Sequence, residues 1–241
     1  MAPETTVRKT AVIVGASSGI GEALARRLHA GGWSIHLLAR RENLLRSIAV
    51  SLGDRATAHV IDLSEIEPAR AAFAALLEAI GDVHVVVVSA GTGDENPGLS
   101  WPIEKRTFDV NVVGFAAMAD AAINHFREAG GGHLIGITSL AALRASGPAA
   151  SYAATKAFQS TYLDGLRALG KASDAAITVT EIQPGFIDTA MMKAPNPFWA
   201  ISADEAAQQI QRAIRRRPKH AYVPRRWALV AWILRLLPRP G

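Results

Sequence analysis

The sequence predicts an α/β fold: a doubly wound, Rossmann-type parallel sheet of about seven strands with helices on both faces, in a single domain. Three observations predict it. Short apolar runs alternate with longer helix-patterned segments from one end of the chain to the other. Several of those runs are continuously apolar, as strands covered on both faces must be. The first run ends in a glycine-rich turn that opens directly into a helix.

Taken in order, the strand candidates are "TAVIVG" (10–15), "SIHLLA" (34–39), "TAHVID" (57–62), "VHVVVVS" (83–89), "HLIGIT" (133–138) and "ITVTEI" (177–182). A short "AYVP" at Ala221 is a candidate seventh. Ser64 and Glu67 have capping-box spacing ahead of "PARAAFAALLEAI", and Pro68 is tolerated in a first turn. Ser202 and Glu205 repeat that spacing ahead of "AAQQIQRAI". Gly31, Gly32, Gly53, Gly81 and the glycines at 130–132 punctuate helix ends. No linker, repeat or low-complexity tract divides the chain.

Composition narrows the function classes. The chain has 241 residues, of which 49% are hydrophobic and 20% charged, enough apolar material for a large core. With no cysteine, disulfides, thiolate metal sites and cysteine nucleophiles are excluded, which suits a reducing, cytoplasmic setting. The seven histidines are scattered, and no carboxylate cluster suggests a metal site. The first ten residues are polar and the apolar run after them is too short for a signal-peptide core. Net charge is +5, with much of the excess in "RRRPKHAYVPRR" (215–226). Nothing else resembles a nucleic-acid reading element, so a nucleic-acid partner is not expected. The apolar run at 227–237 is too short to cross a hydrocarbon layer of ~30 Å. Two readings fit it: a helix packed on the body or a second subunit, and a helix lying on a membrane surface.

The turn after the first strand, "VGASSGIGEALARRL", carries Gly15, Gly19 and Gly21 and then a helix. Glycines let the backbone approach a pyrophosphate, and the free N–H groups of a helix N-terminus offset its charge. The second strand ends "LLARRENLL", with Ala39 and Arg40 where NAD-selective folds place a carboxylate. A guanidinium grips a 2′-phosphate that a carboxylate would repel, so NADP(H) is preferred over NAD(H). Arg41 reads as a charge at the start of the next helix. In "SYAATKAF", Tyr152 and Lys156 stand four apart, one helical turn, and share a face. A phenol is a poor base near neutral pH, and a cation within ~4–6 Å favours its phenolate. Ser139 falls at the C-terminal end of a strand, where open α/β sheets bind ligands.

These motifs fall in one order: "GASSGIG" (15–21), "IDL" with Asp62, "VSAG" (88–91), "NVVG" with Asn111, "ITS" with Ser139, "YAATK" (152–156) and "QPGFIDTAM" (183–191). In that order and spacing the chain resembles the short-chain dehydrogenase/reductase superfamily, in its single-domain, NADP(H)-preferring form, from about residue 10 to 224. The resemblance implies an NADP(H)-dependent oxidoreductase that interconverts a carbonyl and a secondary alcohol. It makes Tyr152 the general acid/base and gives Lys156 both the phenol and the nicotinamide ribose. It makes Ser139 the partner of the substrate oxygen. It gives Asn111, in the predicted helix "KRTFDVNVVGFAAM", a local kink and a water linking Lys156 to solvent. Ser17, Ser18 and Ile20 would line the phosphate turn with its glycines, and Asp62 would accept from the adenine amine, with a strand-end turn as its competing role. Ile187 and Thr189, after Pro184 and Gly185, would hold the nicotinamide carboxamide. One departure is Ser89, where the family usually has asparagine; the small Ala90 and the turn glycine Gly91 remain.

The same resemblance divides the chain into a Rossmann domain (1–224) with a substrate flap (189–201), and a C-terminal amphipathic tail (225–241). Met191, Met192, Pro195, Pro197, Phe198 and Trp199 in the flap suggest an apolar or bulky substrate, while packing on the body is the competing reading. Ketones, aldehydes, steroid-like rings, sphingoid bases and acyl thioester keto groups all fit. The family forms homodimers or homotetramers, and peripheral membrane contact through 225–237 is a further expectation. The rival function is an NADP(H)-sensing binding protein without turnover, which needs the glycine turn but not the tyrosine.

Overall fold

The computed structural model describes residues 8–145, 147–192 and 197–237. Nine strands and eight α-helices alternate along them. The first half runs β1 (Thr10–Val14), α1 (Gly19–Ala30), β2 (Ser34–Ala39), α2 (Glu42–Leu52), β3 (Ala56–Val60), α3 (Ile66–Ile80) and β4 (Val85–Val88). The second continues with α4 (Trp101–Phe108), α5 (Phe115–Glu128), β5 (Gly131–Ile137), α6 (Ala150–Lys171) and β6 (Ala176–Pro184). After β7 (Ile187–Asp188) and β8 (Ile201–Ser202) come α7 (Ala203–Arg216), β9 (His220–Val223) and α8 (Trp227–Leu236).

Seven strands form one sheet in the order β3-β2-β1-β4-β5-β6-β9, every pairing parallel. The expected doubly wound fold is therefore present, with the candidate seventh strand as its edge. The order reverses between β1 and β4, the switch point where open α/β sheets leave a crevice for ligands. Parallel strands need helical crossovers, so both faces are covered. One face buries Phe73, Phe115, Met118 and Phe126; the other buries Leu24, Leu28, Ile210 and Ile214. Burying each such side chain contributes about 1.5–3 kcal/mol.

Of the two capping boxes expected, one forms. Ser202 accepts from the Glu205 amide at 3.1 Å while Glu205 accepts from the Ser202 amide at 3.0 Å, closing the start of α7. At α3 the helix begins at Ile66 with Glu65 as its N-cap, and the Ser64 amide donates to Asp62 Oδ1 at 3.0 Å instead. A local Asx turn has captured the serine. The helix expected around Asn111 is interrupted: α4 passes through a π-helical turn, Asp109–Gly114, before α5 resumes. Pairing of β7 with β8 brings Ile187 to Ile201 and so joins the two ends of segment 189–201. Residues 193–196 within it, including Pro195, lie outside the described residues, as do 1–7 and 238–241 of the expected terminal segments.

Candidate active site

At the C-terminal end of β1 the chain turns through Gly15 at φ +92° and Gly19 at φ +58° before entering α1. A Cβ on Gly15 would stand 2.5 Å from the Ala90 nitrogen, and one on Gly21 would stand 2.2 Å from the Gly15 carbonyl. No side chain fits at either position, so the turn is drawn tightly onto the end of β4. Ser18 holds the N-cap position of α1 without its side chain accepting from the helix. The first-turn amides of α1 thus have neither an intrahelical partner nor a side-chain cap from Ser18. Thr189 reaches over this turn from the far side of the sheet, its Cγ2 3.2 Å from where a Gly19 Cβ would stand.

Two arginines follow β2, and they behave differently. Arg40 is exposed. Arg41 folds back onto the glycine turn, donating to Ser17 Oγ at 2.8 and 3.1 Å and to Ser18 Oγ at 2.6 Å. The sequence reading favoured Arg40 and set Arg41 aside. The adjacent pair was visible there, but which guanidinium turns toward the glycines depends on where β2 ends relative to β1. Asp62 lies at the end of β3, engaged in the turn with Ser64.

The second cluster gathers on α6. Tyr152 and Lys156 share a face as expected, with the lysine Nζ 5.7 Å from the phenol ring centroid. Gly93 is packed against the ring, where a Cβ would lie 2.5 Å from Tyr152 Cδ2. Ser139, at the end of β5, accepts from the Ala141 amide at 3.1 Å and faces the phenol. Burial pushes the Tyr152 phenol above its ordinary value, and the Ser139 hydroxyl draws it part of the way back. Burial also lowers the Lys156 ammonium to about 7. The cation is expected to depress the phenol; here desolvation raises the phenol, and the group that draws it back is Ser139 rather than Lys156.

Around them the polar groups are bonded to one another. Lys156 Nζ donates to the Ile137 carbonyl at 3.1 Å and to Gln159 Oε1 at 2.9 Å. Asn111 sits inside the π turn, wholly buried. Its side chain accepts from the Thr92 amide at 2.8 Å and donates to the Thr92 carbonyl at 2.7 Å and to Thr155 Oγ1 at 3.0 Å. Such π turns recur at functional sites. Gly91 closes the gap between the two clusters, its absent Cβ 3.3 Å from Asn111 Oδ1 and 3.5 Å from Lys156 Nζ.

At the end of β6, Pro184 pairs with Val223, and the Gly185 amide donates to the Val223 carbonyl at 2.8 Å. Trp227 from α8 presses on Gly185, where a Cβ would be 2.2 Å from its indole nitrogen. Phe186, Phe198 and Trp199 complete an aromatic group around Trp227, with centroid separations of 4.9–5.7 Å to that ring. Ile187 is buried beside them in β7. All of these segments converge at the C-terminal edges of the strands.

An open parallel sheet with a glycine turn at its switch point, and a Ser–Tyr–Lys set beside it, defines a nucleotide-binding oxidoreductase. The chain belongs to the short-chain dehydrogenase family, whose model matches residues 9–198. It is 32% identical over 246 aligned residues to an uncharacterized oxidoreductase of Mycobacterium tuberculosis, covering 95% of this chain and 93% of that one. A short-chain dehydrogenase of Sphingobium yanoikuyae in complex with NADPH has the same fold, at TM-score 0.81, 22% identity and coverage of 97% and 98%. An alcohol dehydrogenase of the archaeon Thermococcus sibiricus, complexed with 5-hydroxy-NADP, aligns at TM-score 0.76 and 28% identity over 89% of this chain and 95% of that one.

Proposed function

We propose that this protein interconverts a carbonyl and a secondary alcohol with NADP(H), through Tyr152 as general acid in reduction and general base in oxidation. The observation that carries this reading is the convergence of Tyr152, Ser139 and Lys156 beside the glycine turn. When bound, the dinucleotide supplies or accepts the hydride. Gly15, Ser17, Ser18, Gly19, Ile20 and Gly21 would hold its pyrophosphate, a cradle that a Cβ at either outer glycine would fill. Asp62, Ala90, Gly91, Pro184, Gly185, Ile187 and Thr189 would line the adenine and nicotinamide ends. Lys156 would hold the nicotinamide ribose. Ser139 would hold the substrate oxygen within reach of the phenol, and Tyr152 would pass its proton to that oxygen.

Preference for the 2′-phosphate rests on the two cations after β2 and on the absence of a carboxylate there. Arg41 sits against the turn and Arg40 stands free to close from outside. That the Thermococcus relative is complexed with an NADP derivative supports the same choice. Exposed Met191, Phe198 and Trp199 on the flap support an apolar or bulky substrate.

Two surfaces bear on partners. Phe158, Tyr162 and Leu169 line an apolar groove along α6, the face we assign to a second copy in a homodimer or homotetramer. Helix α8 buries Trp227 and Ala231 but exposes Leu229, Trp232, Ile233 and Leu236. Among the described residues no helix is long and apolar enough to cross a membrane. With Arg225, Arg226 and Arg235 alongside, α8 suits peripheral contact with an anionic lipid surface.

Consumption of NADPH over a panel of ketones and aldehydes tests the reading, with Tyr152→Phe as its partner. Turnover should fall by about 10²–10⁴-fold in the variant while NADPH binding persists. Equal oxidation by variant and parent would overturn the role of Tyr152. A parent that binds NADPH but never consumes it would point to the sensing protein.

A further inference from the structure

Lys156 meets two acceptors inside the protein, and one of them is a side chain that the catalytic set does not include. Gln159 stands three residues further along α6, fully buried, and its Oε1 accepts from Lys156 Nζ at 2.9 Å. Its Nε2 donates to the Asn111 backbone carbonyl at 2.8 Å. A carbonyl can only accept, so that bond fixes which end of the amide faces the π turn. Oε1 is thereby committed to the lysine. Asn111 is itself held by Thr92 and Thr155, so the anchor cannot swing away.

We propose that Gln159 is a positioning residue: an amide locked by the Asn111 carbonyl that holds the Lys156 amine as a donor and aims its remaining valence at Gly91 and Tyr152. The proposal rests on the reading that Lys156 serves the phenol and the ribose. Family resemblance gives Asn111 a water that links Lys156 to solvent; Gln159 adds a direct side-chain link from Lys156 to the Asn111 carbonyl. The chemical consequence follows from counting donors. A neutral amine has two N–H groups, enough for the Ile137 carbonyl and Gln159 Oε1, and its lone pair then faces the site. The ammonium adds its third N–H in that same direction. Lys156 therefore gains and loses its proton on the side where Tyr152 stands, and Gln159 stabilises the donor form without adding charge.

The charged groups on the elements packed against α6 are engaged elsewhere. Glu181 of β6 accepts from Thr138 and Gln183 and meets His220. Glu104 of α4 accepts from Asn96 and Ser151. Asp109 of the π turn pairs with Lys105, and Asp120 of α5 pairs with Arg70. Among the described residues, Tyr152 is the titratable group that approaches Lys156, with Ser139 behind it. The neutral amide is thus the side-chain acceptor whose identity sets how firmly the proton is held.

The test replaces that acceptor in the full-length protein and reads the lysine directly. Heteronuclear NMR of protein carrying 13C- and 15N-labelled lysine, assigned with Lys156→Met, gives the Lys156 titration without any turnover. Gln159→Met keeps the length and removes the acceptor, so Lys156 should lose its proton about tenfold more readily. Gln159→Glu places a carboxylate beside it, and its proton should be held tighter by tenfold or more. In the parent, reductive kcat/KM should fall above about pH 7, following Lys156. That limb should move down in the first variant and up in the second. A Lys156 titration within twofold of the parent in both variants overturns the proposal, even if the variants melt at lower temperature. Shifted titrations in a protein that never turns over NADPH would leave Gln159 in place and remove the oxidoreductase mechanism instead.

Discussion

At residues 15–21 the site is made of backbone from one contiguous stretch, whereas around Tyr152 it is made of side chains drawn from β5, the π turn and α6. The first region works by leaving atoms out: a Cβ on Gly15 would strike Ala90, one on Gly21 would strike the Gly15 carbonyl, and Gly19 turns at φ +58°. The second works by bonding side chains to one another, with Asn111, Thr155, Gln159 and Lys156 joined in one network. A backbone site is insensitive to chemistry and intolerant of volume. A side-chain site is the reverse, since shape can be kept while a proton is moved or lost.

That contrast can be broken by mutation, and the largest separation after Tyr152→Phe should come from Gly15→Ala. The new methyl would meet the Ala90 nitrogen at 2.5 Å in a backbone at φ +92°. Strain of about 1–3 kcal/mol per disfavoured conformation should appear as a lowered melting temperature. NADPH affinity, followed by fluorescence titration, should drop by about 100-fold or more, since the amides can no longer close on the phosphates. Unchanged affinity would show that the turn is not the anion site.

A smaller effect should sharpen the role of charge at the turn. Arg41→Ala removes the guanidinium held by Ser17 and Ser18, and Arg40→Ala removes its neighbour. Each charge-assisted bond contributes about 1.5–3 kcal/mol, so NADPH should weaken by ~10- to 100-fold in the arginine that binds the 2′-phosphate. NADH binding should hardly change in either. Loss of NADPH and NADH affinity in parallel would remove the 2′-phosphate from the argument.

The smallest changes should come from surfaces remote from both regions. Leu169→Glu on the α6 groove should lower the mass seen by light scattering, and Trp232→Ser on α8 should lower co-sedimentation with anionic vesicles. NADPH affinity should stay within about threefold, as exposed substitutions away from a site rarely exceed ~0.5 kcal/mol. An unchanged mass and an unchanged pellet would remove both surfaces from the account.

How much was legible beforehand follows the same division. The strand runs, the glycine turn and the Tyr152–Lys156 pair could be read because each is local, set by periodicity or by backbone freedom within a few residues. The Ser64–Glu67 box was misleading for a local reason as well: Asp62, two residues before the serine, captured its amide first. Gln159 left a signal, since it follows Lys156 at helical spacing, but a glutamine there has no meaning until Asn111 faces it.

By itself the sequence determined the succession of strands along the chain, the place of the glycine turn and the helix that carries the phenol and the amine. Those depend on steric limits and periods that a few residues impose. Tertiary structure alone decided that Arg41 folds onto the turn, that a π turn presents the Asn111 carbonyl to Gln159, and that Trp227 closes on Gly185. Each of these is a meeting of atoms from segments far apart in the chain. Their distances are fixed by how the sheet and its helices pack, and no spacing within one segment encodes them.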